Sequence, residues 1–154
     1  MFMRFLFGGG LVVVTVAIHA AGFSALLRVL VWSHALAMSG FWRAIRLLIG
    51  LTSWLLVIHL LEIVVWGLFY SWQGCLPDAG SGLYFSGVTY TTLGYGDLLL
   101  PKAWRMFAPL EAMTGILLCG LSTGLFFAAV SVWIRNFMQK RTASEPQVAP
   151  PVKE

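Results

Sequence analysis

The sequence predicts an all-α membrane protein: three transmembrane helices, with a short re-entrant helix and a polar loop between the second and the third. Three observations carry this. Only 10% of the 154 residues are charged and 59% are hydrophobic, with a mean hydropathy of +0.85, whereas a soluble domain of this length needs far more polar surface. The apolar residues fall in runs of membrane length, since about 20 residues at 1.5 Å rise each cross about 30 Å of hydrocarbon. The stretch "TTLGYGD", residues 91–97, breaks this pattern with three hydroxyl side chains, two glycines and an acid.

The first element, 1–31, holds an apolar run from Phe5 to Leu30. Its Arg4 start and "AIHAAG" end could also read as a cleaved signal peptide, but the charge distribution favours a retained helix. With the N-terminus outside, Arg28, Arg43, Arg46, Arg135, Lys140, Arg141 and Lys153 lie in the cytoplasm, and only Arg4, Lys102 and Arg105 lie outside. Seven against three obeys the positive-inside tendency. His19 has no partner nearby in sequence, so a helix-packing hydrogen bond is expected of it. A cytoplasmic or interfacial linker, 32–46, follows; its amphipathic "WSHALAMSGFWRAIRLL" suits the inner membrane surface.

The second helix, 47–71, contains fifteen Leu, Ile, Val or Phe residues, each contributing roughly −0.3 to −0.6 kcal/mol at a helix centre against about +3 for Glu62. Insertion therefore wins. His59 and Glu62, spaced i, i+3, share one face at membrane depth, where ionisable residues are costly enough to be functional candidates. A structural hydrogen bond to the short helix or a neighbouring helix is expected, with a proton sensor or gating contact as the alternative. Metal binding is not expected, because the His-x-x-Glu spacing lacks a third ligand.

After the second helix, Gly, Pro, Asp and Ser residues up to Gly82 read as a turn. Residues 83–92 then form a short helix that the two glycines stop. The third transmembrane helix, 105–138, has Pro109 near its start, where a missing amide donor costs little. The tail, 139–154, has three prolines in "RTASEPQVAPPVKE" and is expected to be disordered. Cys75 and Cys119 should lie at different depths as free thiols. Trp32, Trp42, Trp72 and Trp104 sit near helix ends, as lipid-interface anchors do. The net charge of +4 does not point to nucleic acid, because the basic residues flank oily segments and form no block.

Backbone carbonyls at membrane depth are tolerated only when buried in protein or lining a wet path. A ring of them can replace the water shell of a monovalent cation, provided alternate residues take positive φ so that successive carbonyls face one way. Gly94 and Gly96 fit that demand. Leu93 and Tyr95 would point away from the axis, and the Thr92 hydroxyl would add an innermost ligand. The C-terminal end of the short helix, with about half an elementary negative charge, would favour cations on that path.

"TTLGYGD" resembles the potassium-channel selectivity filter, whose TVGYG form is matched at Thr92, Gly94, Tyr95 and Gly96, with Asp97 following and Leu93 in the valine position. The order of helix, turn, pore helix (83–92), filter (92–97) and inner helix, over 47–138, is similar to the two-helix pore module of small prokaryotic potassium channels. The resemblance implies a potassium-selective subunit that conducts passively as a homotetramer, because one loop cannot encircle an ion. The carbonyls of Thr92, Leu93, Gly94 and Tyr95 would hold K+, with Gly96 completing the filter. Thr91, Tyr84, Phe85, Val88 and Asp97 would support it. Tyr84 and Phe85 stand where many relatives carry paired tryptophans, and Val88 where some carry a carboxylate partner for Asp97, which must then find another donor.

Gly115 falls near the family's hinge glycine, with Gly120 and Gly124 as other bending points. Glu111 reads either as a brace behind the filter or as a solvated residue of the outer vestibule. The resemblance implies a multi-pass protein of the cell membrane, C-terminus inside, with lipid and its own copies as partners. It implies no enzymatic step, no cofactor beyond permeant K+, no nucleic acid and no small-molecule substrate. A less selective monovalent cation channel and a non-conducting regulatory subunit are the alternatives. Voltage sensing has no support, since Arg4 and Arg28 lie only at the ends of the extra helix.

Overall fold

A computed structural model describes residues 2–33 and 41–144. It contains four helices and, among the described residues, no strand: α1 (Phe2–Trp32), α2 (Phe41–Trp72), α3 (Ala79–Tyr90) and α4 (Phe107–Ser144). Three of them are long and apolar enough to span a membrane, over Met3–Trp32, Phe41–Trp72 and Phe107–Gln139. The all-α membrane class and the three spans agree with the sequence reading.

The element ends differ from those expected, for physical reasons. α2 starts at Phe41 rather than at residue 47, because "FWRAIR" is helix-compatible and its arginines cost nothing beyond the hydrocarbon. At 32 residues it is about 48 Å long, well over the roughly 30 Å core. α4 continues to Ser144, past the expected disordered start at 139, because Gln139, Lys140 and Arg141 are good helix formers and the first breaker is Pro146. The rest of the tail and residues 34–40 of the linker lie outside the described residues.

α3 begins at Ala79, not 83, and ends at Tyr90, not 92. Asp78 is the reason: in extended conformation (φ −153°, ψ 170°) it caps the helix, accepting from the Ser81 amide at 2.8 Å and the Ser81 hydroxyl at 2.9 Å. α2 closes just before, with the Gly74 and Cys75 amides donating to the Ser71 and Tyr70 carbonyls. α3 then lies directly on α2. A Cβ on Gly67 would come within 2.8 Å of Leu83 Cα, and one on Gly82 would strike the Gly67 carbonyl. Glycine at both positions lets the short helix sit backbone to backbone on its support.

α1 and α2 run antiparallel, joined by polar rungs. Trp66 Nε1 donates to Thr15 Oγ1 at 2.9 Å, His19 Nδ1 meets Glu62 Oε1 at 2.9 Å, and Trp54 Nε1 donates to the Gly22 carbonyl at 2.9 Å. Positions 15, 19 and 22 advance along one face of α1 as 66, 62 and 54 recede along α2. The apolar core forms two clusters. One gathers Leu11, Trp66, Phe69, Tyr70, Phe85, Leu100 and Phe107, and the other Leu26, Leu30, Leu51, Leu55, Ile58 and Ala129. The buried polar residues His19, Glu62 and Ser122 fall in sequence between the two clusters on α1, α2 and α4.

Candidate functional site

The loop grows out of the end of α3. Thr91 caps the helix, its amide and hydroxyl both donating to the Gly87 carbonyl at 3.2 and 2.7 Å. The Thr92 amide bonds the Thr89 carbonyl at 2.9 Å, and the Leu93 and Gly94 amides share the Val88 carbonyl at 2.9 and 3.1 Å. These turns hold the start of the loop against the helix C-terminus, where partial negative charge gathers. Beyond them φ is positive at Thr92 (60°), Gly94 (57°) and Gly96 (77°). Every second residue is thus left-handed, the alternation that brings successive carbonyls to one side of a strand. Glycine meets this at 94 and 96 without strain, whereas Thr92 does so at a cost of about 1–2 kcal/mol.

The loop is braced from three directions. Tyr84 donates its hydroxyl to Asp97 Oδ2 at 2.8 Å, which supplies the donor the sequence left open. Phe85 is buried and meets Tyr70 edge-on, with centroids 5.2 Å apart and planes at 87°. Behind it Glu111 is fully buried. It accepts from Tyr70 Oη at 2.7 Å and from Ser86 Oγ, and so ties α4 to α2 and α3. A Cβ on Gly115 would strike the Tyr90 carbonyl oxygen, so this glycine lets α4 press on the last residue of α3. Val88 and Thr92 line a groove with Ala108, Pro109 and Ala112 of α4.

Just below the loop lies a polar cluster that draws on all four helices. His19 and Glu62 are 1% and 0% exposed. The Glu62 carboxylate meets His19 Nδ1 at 2.9 Å and His59 Nδ1 at 3.2 Å, and accepts from Tyr90 Oη. Tyr90 Oη is 2.8 Å from His59 Nδ1. On the far side of both imidazoles stands Ser122 of α4, its Oγ 3.1 Å from His59 Nε2 and 3.4 Å from His19 Nε2.

A family model described as ion channel matches residues 11–132, well over half of the chain. The chain belongs to this ion channel family. No curated protein and no solved structure matched it.

The channel brings Thr91, Thr92, Tyr84, Val88 and Asp97 together around the loop. Leu93 and Tyr95 stand 55% and 67% exposed in the single chain. His59 and Glu62 make the expected bonds to the short helix through Tyr90, and His19 gains its helix-packing bond. Glu111 is buried between Tyr70 and Ser86 and is not a solvated residue. Gly120 sits on α4, where a Cβ would meet nothing within 4 Å. Cys75 and Cys119 are free thiols, the first buried and the second exposed, and burial raises the Cys75 pKa above the usual thiol value. Trp32, Trp42 and Trp72 are 81%, 74% and 74% exposed at helix ends. Trp104 instead lies under the Arg4 guanidinium, 5.3 Å from the ring centroid, and packs on Phe107.

Sequence reasoning passed over Tyr70, Ser86, Tyr90 and Ser122. The residues around them give little signal, since Tyr90 and Ser122 stand beside threonines and Tyr70 beside a serine, and the burial that makes a partner obligatory is a property of the fold. Which side chain supplies that partner depends on packing between helices.

Proposed function

We propose that this channel is potassium-selective and conducts through a pore assembled from four copies, with the carbonyls of Thr92, Leu93, Gly94 and Tyr95 holding the dehydrated ions. The observation that carries the reading is the run of positive φ at Thr92, Gly94 and Gly96, falling on the "TxGYG" pattern at the C-terminal end of α3. A single chain offers one such loop, with Leu93 and Tyr95 more than half exposed. Neighbouring copies that cover these side chains would bring four loops to one axis. The contact between Arg4 and the Ala103 carbonyl at 3.4 Å puts the N-terminus at the filter end of the molecule. The positive-inside tendency then sets that end outside and the α4 C-terminus in the cytoplasm of a cell membrane. Conduction in this reading needs no cofactor and no catalytic step.

The purified protein in liposomes should pass K+ down its gradient and exclude Na+. Gly94→Ala, which puts a Cβ on a residue at φ 57°, should abolish that preference. Equal K+ and Na+ flux through the unaltered protein points to a non-selective cation channel, and no flux in any lipid points to a regulatory subunit. Either result overturns the proposal.

A further inference from the structure

The polar cluster below the filter has the donor set of a metal centre. Helix α2 alone supplies His59 and Glu62, one ligand short, and α1 delivers the missing nitrogen from His19. One donor atom of each of the three lies within 4.8 Å of the others. Two imidazoles and a carboxylate are a familiar Zn2+ ligand set, whose fourth position is left to a further donor such as water. Tyr90 Oη is placed for that role, 2.8 Å from His59 Nδ1 and bonded to Glu62. A tetrahedral ion with bonds of about 2.0–2.1 Å sets its ligand atoms about 3.3–3.4 Å apart. Glu62 Oε1 stands 2.9 Å from His19 Nδ1 and Glu62 Oε2 3.2 Å from His59 Nδ1, so the carboxylate reaches both imidazoles, and each of these contacts opens by a few tenths of an ångström to admit the ion.

The cluster is satisfied without an ion, with no buried side-chain nitrogen or oxygen left unpartnered among the described residues, and a second arrangement of the same protons opens it to a cation. In the first, His19 carries its proton on Nδ1 toward Glu62 and His59 on Nε2 toward Ser122, while the Ser122 hydroxyl serves His19 Nε2 and the Tyr90 hydroxyl serves His59 Nδ1. If both carry it on Nε2, the two lone pairs of Ser122 Oγ accept both, at 3.1 and 3.4 Å. Two bare Nδ1 atoms then face a carboxylate, and a cation between them relieves that repulsion. The second arrangement is the usual one for ligating histidine, whose other nitrogen donates to an outer partner that fixes the ring. Tyr90 ends α3, so the negative end of that helix adds to the attraction. His59 remains 15% exposed, which leaves an approach for the ion.

We propose that His19, His59, Glu62 and Tyr90 form a Zn2+ site, with Ser122 as the partner that orients both imidazoles. Zinc there would lock α1 to the pore helix and to α2 directly beneath the filter, which gives the extra N-terminal helix a task. Untagged full-length protein in detergent, stripped with EDTA and titrated with ZnCl2, should retain one zinc per chain through desalting and unfold at higher temperature than the stripped form. CoCl2 in place of zinc should give the intense visible absorption of a four-coordinate site. Ser122→Ala, which removes no ligand, should weaken zinc binding about 10–100-fold, and His19→Ala or Glu62→Gln should retain none. Failure of the unaltered protein to retain zinc overturns the proposal, whatever the variants do. So does equal retention in His19→Ala and Glu62→Gln. Neither result bears on potassium selectivity.

Discussion

Tyr84 and Asp97 show how much of the site depends on single side chains. Their hydroxyl-to-carboxylate bond links the second turn of α3 to the last residue of the "TTLGYGD" stretch, and it raises the Tyr84 pKa above the ordinary tyrosine value. Tyr84→Phe keeps the ring and removes the donor. Currents through the variant in planar bilayers should decay faster during sustained K+ conduction than those of the unaltered protein; matching decay would deny the bond any bracing role. Asp97 needed a donor other than residue 88, and that much was legible in sequence. Tyr84 was not identifiable as the donor, because the pairing depends on how far the loop folds back along α3. Thr92 carries the same lesson: Gly94 and Gly96 announce left-handed backbone by their residue type, whereas a threonine at φ 60° does so only once the alternation is seen to extend to it.

At the scale of elements, α3 is set by its cap and by the helices that press on it. The Asp78 pKa is lowered, first by the Ser81 amide bond and then by the Ser81 hydroxyl. Its contribution to stability is therefore complete above the ordinary value of 3.8 and is lost as pH falls below that toward the lower folded value. Thermal unfolding in detergent should show this acid loss in the unaltered protein and not in Asp78→Ala; parallel pH curves would refute it. Gly115→Ala forces α4 away from the Tyr90 carbonyl and should cost about 1–3 kcal/mol, as overpacking does, read as a lower unfolding temperature. An unchanged temperature would mean that α4 does not bear on α3 at that point. The existence and type of the helices were legible because apolar runs of membrane length leave little choice. Their ends were not: the Asp78 cap was hidden among turn-forming residues, and hydropathy does not register helix that continues beyond the lipid.

The whole molecule has two apolar clusters, a polar layer between them, and a loop after α3 on which Leu93 and Tyr95 are exposed. Hydropathy could reveal the spans and a motif could reveal the loop. The polar layer was legible only in halves, because His19 and Glu62 are 43 positions apart and meet through the packing of α1 on α2. Within the ion channel family shown by residues 11–132, the central claim is that alternating backbone at Thr92 to Gly96 selects potassium. Its most direct test is the reversal potential of the purified channel in a planar bilayer with KCl on one side and NaCl on the other. The account predicts a potential far from zero, of the sign that K+ permeation sets. A reversal near zero would contradict it.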